Sequence, residues 1–311
     1  MNTASTTDVL AAKEPSGENA IDRVLVLEMV RVTEAAAVAA AELIGRGVEN
    51  AADAAAGEAM RRAFDGLYMD GTVVIGEGER DEAPMLYIGE KVGGAPGKGP
   101  KIDIALDPLE GTTITAKAGP NALAVLAAAE EGNLLNAPDV YMDKLAVGPG
   151  LPADVIDLAK TPTQNVEAVA AAKGRKPSAI KVCVLDRPRH AALIAELRGI
   201  GSGVHLIGDG DVAGVIAVTD QDTGIDIYMG SGGAPEGVLA AAALKCMGGQ
   251  IFGQLLFRND DERARAEKAG ITELDRIYGR DELVTQDVIF AATGVTDGSL
   301  VAGIKREVGF L

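Results

Sequence analysis

Residues 102–113, Ile102-Asp-Ile-Ala-Leu-Asp107-Pro108-Leu109-Glu110-Gly111-Thr112-Thr113, run an apolar, β-branched stretch into an acidic turn. The run predicts a strand, and the Asp-Pro pair, the glycine and the threonines mark its exit. Asp107 and Glu110 can reach a common point together with the Leu109 carbonyl, offering the oxygen ligands that hard divalent cations select. Gly111 and Thr112 add backbone N–H groups. If a helix begins there, its N-terminus favours a phosphate, and the Thr112 hydroxyl can position a water. Read alone, the hexapeptide 107–112 fits an ordinary strand-to-turn exit equally well.

Upstream, the run TVVIG (72–76) enters a turn crowded with Glu77, Glu79, Asp81 and Glu82. So many carboxylates must be well solvated, carry raised pKa values or share a cation, so a surface turn and a cation site both remain open. Before it, apolar residues recur at helical spacing from Ile21 to Ile44, with Gly45 and Gly47 as stop signals. A second helix, Ala-rich, is expected after Asn50 as N-cap, with Asp53 in its first turn and a close at Gly66–Gly71.

Downstream, ALAVLAAA (122–129), a turn at 130–133 and LLNAP (134–138) read as a hairpin, and YMDKLAVG (141–148) as a further strand. Pro149 and Pro152 connect to a more regular second half. There IKVCVLD (180–186) leads into the helical 188–199, VHLIG (204–208) into the turn Asp209-Gly210-Asp211, and IDIYMG (225–230) through SGGA into the helical 235–247. Ligands sit outside the carboxyl ends of strands in such sheets, so these turns are where a substrate would be met. Residues 259–270 read as a solvated helix face. The class is α/β, mixed α+β, with two halves around one cleft.

The balance of 29 Lys+Arg against 46 Asp+Glu gives a net charge of −17 over 311 residues, which excludes nucleic acid and anionic membrane surfaces as natural partners. An acidic chain that handles an anionic substrate needs local positive charge, and carboxylate-held metals supply it. Cys183 and Cys246 lack metal or redox spacing and are expected as buried structural thiols. His190 and His205 have no ligand-spaced partner and are expected in packing or surface roles. Residues 1–20 lack a basic and then apolar leader pattern and are expected as a disordered tail. No apolar run approaches membrane-spanning length, which points to a cytoplasmic protein.

The pattern D-P-apolar-D/E-G-S/T at 107–112 resembles the signature of the lithium-sensitive, metal-dependent phosphomonoesterases. The wording VVIGEGERDEAPMLYIGEKVG, with ENAADAAAGEAM, LNAPDVYMDKLAVGPG, RPRH, GDGDVA, GGAPEGV and VIFAATGVTDG, resembles the class II fructose-1,6-bisphosphatases from Ile21 to Gly298. The resemblance implies a layered αβαβα sugar-phosphatase fold, with 21–150 as the metal-binding phosphatase half and 151–311 as the sugar-phosphate-binding half. It implies metal ligands at Asp53, Glu77, Asp107, Glu110 and Glu236, and hydrolysis through Asp81 and Thr112. For the substrate it points to Glu110, Gly111, Thr112, Tyr141, Arg187, Pro188, Arg189, Asp209, Gly210, Asp211 and Gly233.

Physical sense can be made of these positions, although without the resemblance RPRH fits a helix N-terminus, and GDGD a plain turn, equally well. Arg187 and Arg189, flanking Pro188 after a strand, could clamp the phosphate that stays on the sugar. The acids at 209–211 could accept sugar hydroxyls, and Glu236 sits where it also favours a helix dipole. The implied reaction is direct attack of water on the C1 phosphate of fructose 1,6-bisphosphate with Mn²⁺, or Mg²⁺, neutralising the phosphate. Sedoheptulose 1,7-bisphosphate is a second candidate substrate, and a homo-oligomer is expected. Two departures from the family are the twenty additional N-terminal residues and a C-terminus that stops at VGFL, where the family continues into one more strand segment. The rival readings are an inositol-monophosphate-type phosphatase and a catalytically silent phosphosugar or metal-binding protein.

Overall fold

The computed structural model describes residues 23–78 and 84–305. The N-terminal tail, the Asp81 segment of the acidic turn and the C-terminal VGFL lie outside the described residues.

The first sheet contains β1 (Asp70–Ile75), β2 (Lys91–Val92), β3 (Lys101–Glu110), β4 (Leu123–Glu130) and β11 (Val288–Gly294), in the order β11-β4-β3-β1-β2. The second contains β5 (Tyr141–Val147), β6 (Lys181–Leu185), β7 (Gly203–Ile207), β8 (Ile227–Gly233), β9 (Gln250–Leu256) and β10 (Ile277–Gly279), in the order β10-β9-β5-β8-β6-β7. The chain thus crosses to the second sheet at β5, before residue 150, and returns to the first at β11.

Among the described residues the apolar core fills the spaces between five layers, its central part lying on both sides of the middle one. α1 (Arg23–Ala41) and α2 (Glu49–Phe64) cover the outer face of the first sheet. α6 (Asp211–Ile216) and α7 (Ala234–Met247) lie between the sheets, and α4 (Pro162–Ala172) and α5 (Ala191–Gly199) cover the far side of the second. The result is the αβαβα sandwich. The short α3 (Thr112–Ala116) follows β3, while α8 (Asp260–Lys268) and α9 (Arg280–Leu283) flank β10.

β4 shows how sequence makes the layers. Leu123, Val125, Ala127 and Ala129 enter the inter-sheet core, and Ala124, Leu126 and Ala128 enter the core under α1 and α2. A strand buried on both faces reads as a continuous apolar run, and alanine lets the layers approach.

Several expectations change. α2 starts at Glu49 behind Val48, which offers no capping side chain, so Asn50 lies inside the helix rather than before it. The segment LLNAP forms no hairpin with β4, whose two edges are taken by β3 and β11; Leu134 makes only a bridge to Val284. α8 is not wholly solvated, since Glu262 and Ala266 are buried. Cys183 is buried, with its thiol pushed up to about 12 by desolvation, whereas Cys246 is exposed. His190 is buried and His205 exposed. No helix among the described residues is long and apolar enough to cross a membrane.

Candidate active site

The hexapeptide 107–112 does not leave the sheet at Asp107, because β3 continues to Glu110. Asp107 pairs with Val125 and Glu110 with Leu123, so three steps on β3 match two on β4. That extra residue is a β-bulge, and Pro108, which has no N–H to donate, suits it. In a regular strand, positions three apart face opposite sides. The bulge turns both acids toward the side that Leu123 and Val125 share, which is the space between the sheets. Leu109 N–H then bonds Asp107 Oδ1 at 2.9 Å. Gly111 at φ 92° provides the left-handed residue before α3, on whose first position Thr112 sits.

Glu236 comes from the first turn of α7, after Pro235. A Cβ at Gly233 would fall on the Glu236 carboxylate, so this glycine makes the acid's inward pose possible. Oxygen atoms of Asp107, Glu110 and Glu236 lie within 4.8 Å of one another. Asp53 from α2 and Glu77 after β1 line the same cavity, of about 350 Å³, with Gly111, Thr112, Asp139 and Asp209.

The electrostatics are those of acids forced together. Desolvation, then the charges of Asp107 and Asp53, raise Glu77 to about 8, and Glu77 shares a hydrogen bond with Asp53, itself raised by burial. Asp107, raised by burial to about 6, shares one with Glu110, which burial and three neighbouring acids hold well above the carboxylate range. Glu236 is raised to about 7 by desolvation and by Asp211. Its Oε2 is buried and has no hydrogen-bond partner. A buried, unpartnered carboxylate oxygen beside two convergent carboxylates fits a divalent cation, which would relieve both the orphaned acceptor and the mutual repulsion.

The remaining expected residues surround this cavity without all lining it. Arg187 pairs with Asp209 at 3.5 Å and donates to the Gly208 carbonyl. Pro188 opens a short 3₁₀ turn, and Arg189 donates to the Ser231 carbonyl at 2.7 Å while stacking 4.8 Å from the Tyr141 ring. Gly210 precedes α6 at φ 77°, and Gly233 precedes α7. Asp211 is buried, and its carboxylate is paired with Lys144 instead of facing the cavity. Asp81 lies outside the described residues.

Sequence reasoning missed Lys144, Asp139 and Arg258. The Arg258 guanidinium lies 4.9 Å from the same Tyr141 ring that Arg189 covers. Lys144 was detectable, since alternation along YMDKLAV puts it on the face of Met142 and Ala146, the buried one.

A layered α+β frame that gathers such carboxylates and a threonine hydroxyl in one cavity has the make-up of a phosphate-handling hydrolase. The chain matches the family described as bacterial fructose-1,6-bisphosphatase, glpX-encoded, over residues 23–310, and it belongs to that family. This is the family that the sequence motifs resemble. Among its relatives are proteins named D-fructose 1,6-bisphosphatase class 2/sedoheptulose 1,7-bisphosphatase from Prochlorococcus marinus strains NATL1A and MIT 9313. Each is 45% identical over 301 residues, covering 92% of this chain and 89% of the relative. Among solved structures, an inositol monophosphatase from Anabaena (Nostoc) sp. PCC 7120 aligns at 15% identity with a TM-score of 0.33, covering 62% of this chain and 69% of that one.

Proposed function

We propose that the protein hydrolyses the C1 phosphate of fructose 1,6-bisphosphate to fructose 6-phosphate and phosphate, and also accepts sedoheptulose 1,7-bisphosphate. The observation that carries this reading is the convergence of Asp107, Glu110 and Glu236 within 4.8 Å beside Thr112, with one Glu236 oxygen left unpartnered. Family membership and the names of the relatives support the substrate.

Asp107, Glu110 and Glu236, with Asp53 and Glu77 beside them, would hold Mn²⁺ or Mg²⁺. Such a cation supplies charge neutralisation at the phosphate and acidifies water. The chain's own contribution is orientation and proton handling. The Thr112 hydroxyl aligns the attacking water, and Asp81 takes its proton, because a hydroxyl alone is a poor base at neutral pH. Tyr141, Arg187, Pro188, Arg189, Asp209, Gly210 and Gly233 form the sugar and distal-phosphate side, with Asp211 held behind them by Lys144; residues up to about 150 serve mainly the cation and later ones mainly the sugar, Glu236 and Tyr141 crossing that division. The setting is cytoplasmic carbohydrate metabolism, gluconeogenic or of the pentose-phosphate or Calvin type, in a homo-oligomer.

The test offers purified protein fructose 1,6-bisphosphate, sedoheptulose 1,7-bisphosphate and inositol 1-phosphate with Mn²⁺, Mg²⁺ or EDTA. Phosphate should be released from the two sugar bisphosphates, and EDTA should abolish it. Thr112→Ala should lower kcat by about 10²-fold or more while Mn²⁺ still binds. Equal release by Thr112→Ala and parent would overturn the mechanism, and preference for inositol 1-phosphate would overturn the substrate.

A further inference from the structure

We propose that Lys144 is the built-in counter-ion of the cation site, a positioning residue that occupies Asp211 and thereby limits how many carboxylates are free to meet the metal. The proposal rests on the metal-dependent reading above and deepens it.

The Lys144 side chain has no solvent exposure, and that of its partner Asp211 has 7%. An isolated ammonium buried to this extent is very costly, so it must be matched in charge and hydrogen bonding. The Lys144 Nζ bonds the Asp211 carboxylate and donates to the Gly233 carbonyl at 2.9 Å. The β8 residue Gly232 makes the room, since a Cβ there would fall on the Asp211 carboxylate and stand 3.0 Å from Nζ.

Those two partners lead to the two acids that matter. Gly233 is the cap of α7, which carries Glu236. Asp211 opens α6, and the next residue, Val212, donates its N–H to Glu110 Oε1 at 3.0 Å. One ammonium therefore bridges the starts of α6 and α7, which also pack on each other, and sets the charge beside Glu110 and Glu236. The charges agree with the geometry. Asp211 acts on both Glu110 and Glu236, and Lys144 opposes it at Glu236. Without the ammonium, Asp211 keeps the Tyr228 hydroxyl at 3.5 Å but has no counter-charge, and it becomes a further acid beside Asp107, Glu110 and Glu236, free to serve a cation.

Opposite signs for the two single substitutions follow. Mn²⁺ affinity of the EDTA-treated full chain, by titration calorimetry, should rise roughly tenfold in Lys144→Met. It should fall by a similar factor in Asp211→Asn, which leaves the ammonium uncompensated. The double variant Lys144→Met/Asp211→Asn should return to near the parent. Cation-free thermal unfolding should show Lys144→Met well below the parent and the double variant restored toward it. If Lys144→Met does not fold, a weakened Asp211→Asn together with a restored double variant upholds the assignment. Single variants that shift affinity in the same direction, or a double variant no closer to the parent than either single, overturn it. A parent that takes up no Mn²⁺ overturns the metal reading and this proposal with it, whereas a parent that binds while the singles move together overturns the proposal alone.

Discussion

Gly232 has no side chain because two charged groups meet where its Cβ would stand. Gly232→Ala should therefore destabilise the protein by about 2 kcal/mol or more, read as a lower denaturant midpoint at unchanged m-value. Gly57, whose Cβ would meet nothing within 4 Å, is the control, and Gly57→Ala should be neutral or slightly stabilising. If both substitutions cost the same, the crowding argument fails. At this scale the sequence was partly readable. Asp107 and Glu110 stand in a short motif whose residue types suit oxygen ligation, Glu236 was reached through the family resemblance alone, and all three converge. The fate of Asp211 could not be read from its own turn, because its partner lies 67 positions away on β5. Lys144 is the converse case, since a lone cation on the apolar side of an alternating strand already implies a buried acid somewhere.

The elements differ in how much local sequence decides them. α4 carries its own start signal, a capping box in which Thr161 and Gln164 satisfy each other's backbone groups. Thr161→Ala should cost about 1 kcal/mol in thermal or chemical unfolding and leave turnover unchanged, because α4 lies on the outer layer. α7 is the opposite kind, apolar around its circumference and packed between both sheets. Ala241→Leu should cost about 1–3 kcal/mol by overpacking there and should lower activity as well, since the helix aims Glu236. A variant that loses stability with full activity would show that α7 does not transmit its position to the site. The strand assignments at β1, β3, β5, β6 and β8 were legible from apolar runs and turn residues. The LLNAP hairpin was not excluded by its sequence, because partners for β4 come from residues 102–110 and 288–294, outside any local window. The bulge in β3 was equally hidden, although Pro108 within an apolar run is the signal that the ladder is interrupted there.

For the molecule as a whole, the buried acids make stability depend on pH in a stated direction. In the cation-free chain Asp107, Glu236 and Glu77 hold their protons to about 6, about 7 and about 8. Their folded values exceed those of an unfolded carboxylate, so the folded state binds more protons over this range, and stability falls as pH rises through 6 to 8. Thermal unfolding in EDTA should thus occur at lower temperature at pH 8 than at pH 5.5, and added Mn²⁺ should recover progressively more of it as pH rises. A transition in EDTA that is flat or climbs across this range would refute the assignment.

The order in which the sheets are threaded has a consequence for biosynthesis. β4 pairs along seven residues with β11, the last strand among the described residues, and α1 packs against that same strand. During translation an apolar strand edge made before residue 130 waits for a partner that emerges some 160 residues later. Nascent chains stalled before β11 present an open, sticky edge of the kind that recruits holding chaperones or pairs with a sister chain on the same polysome.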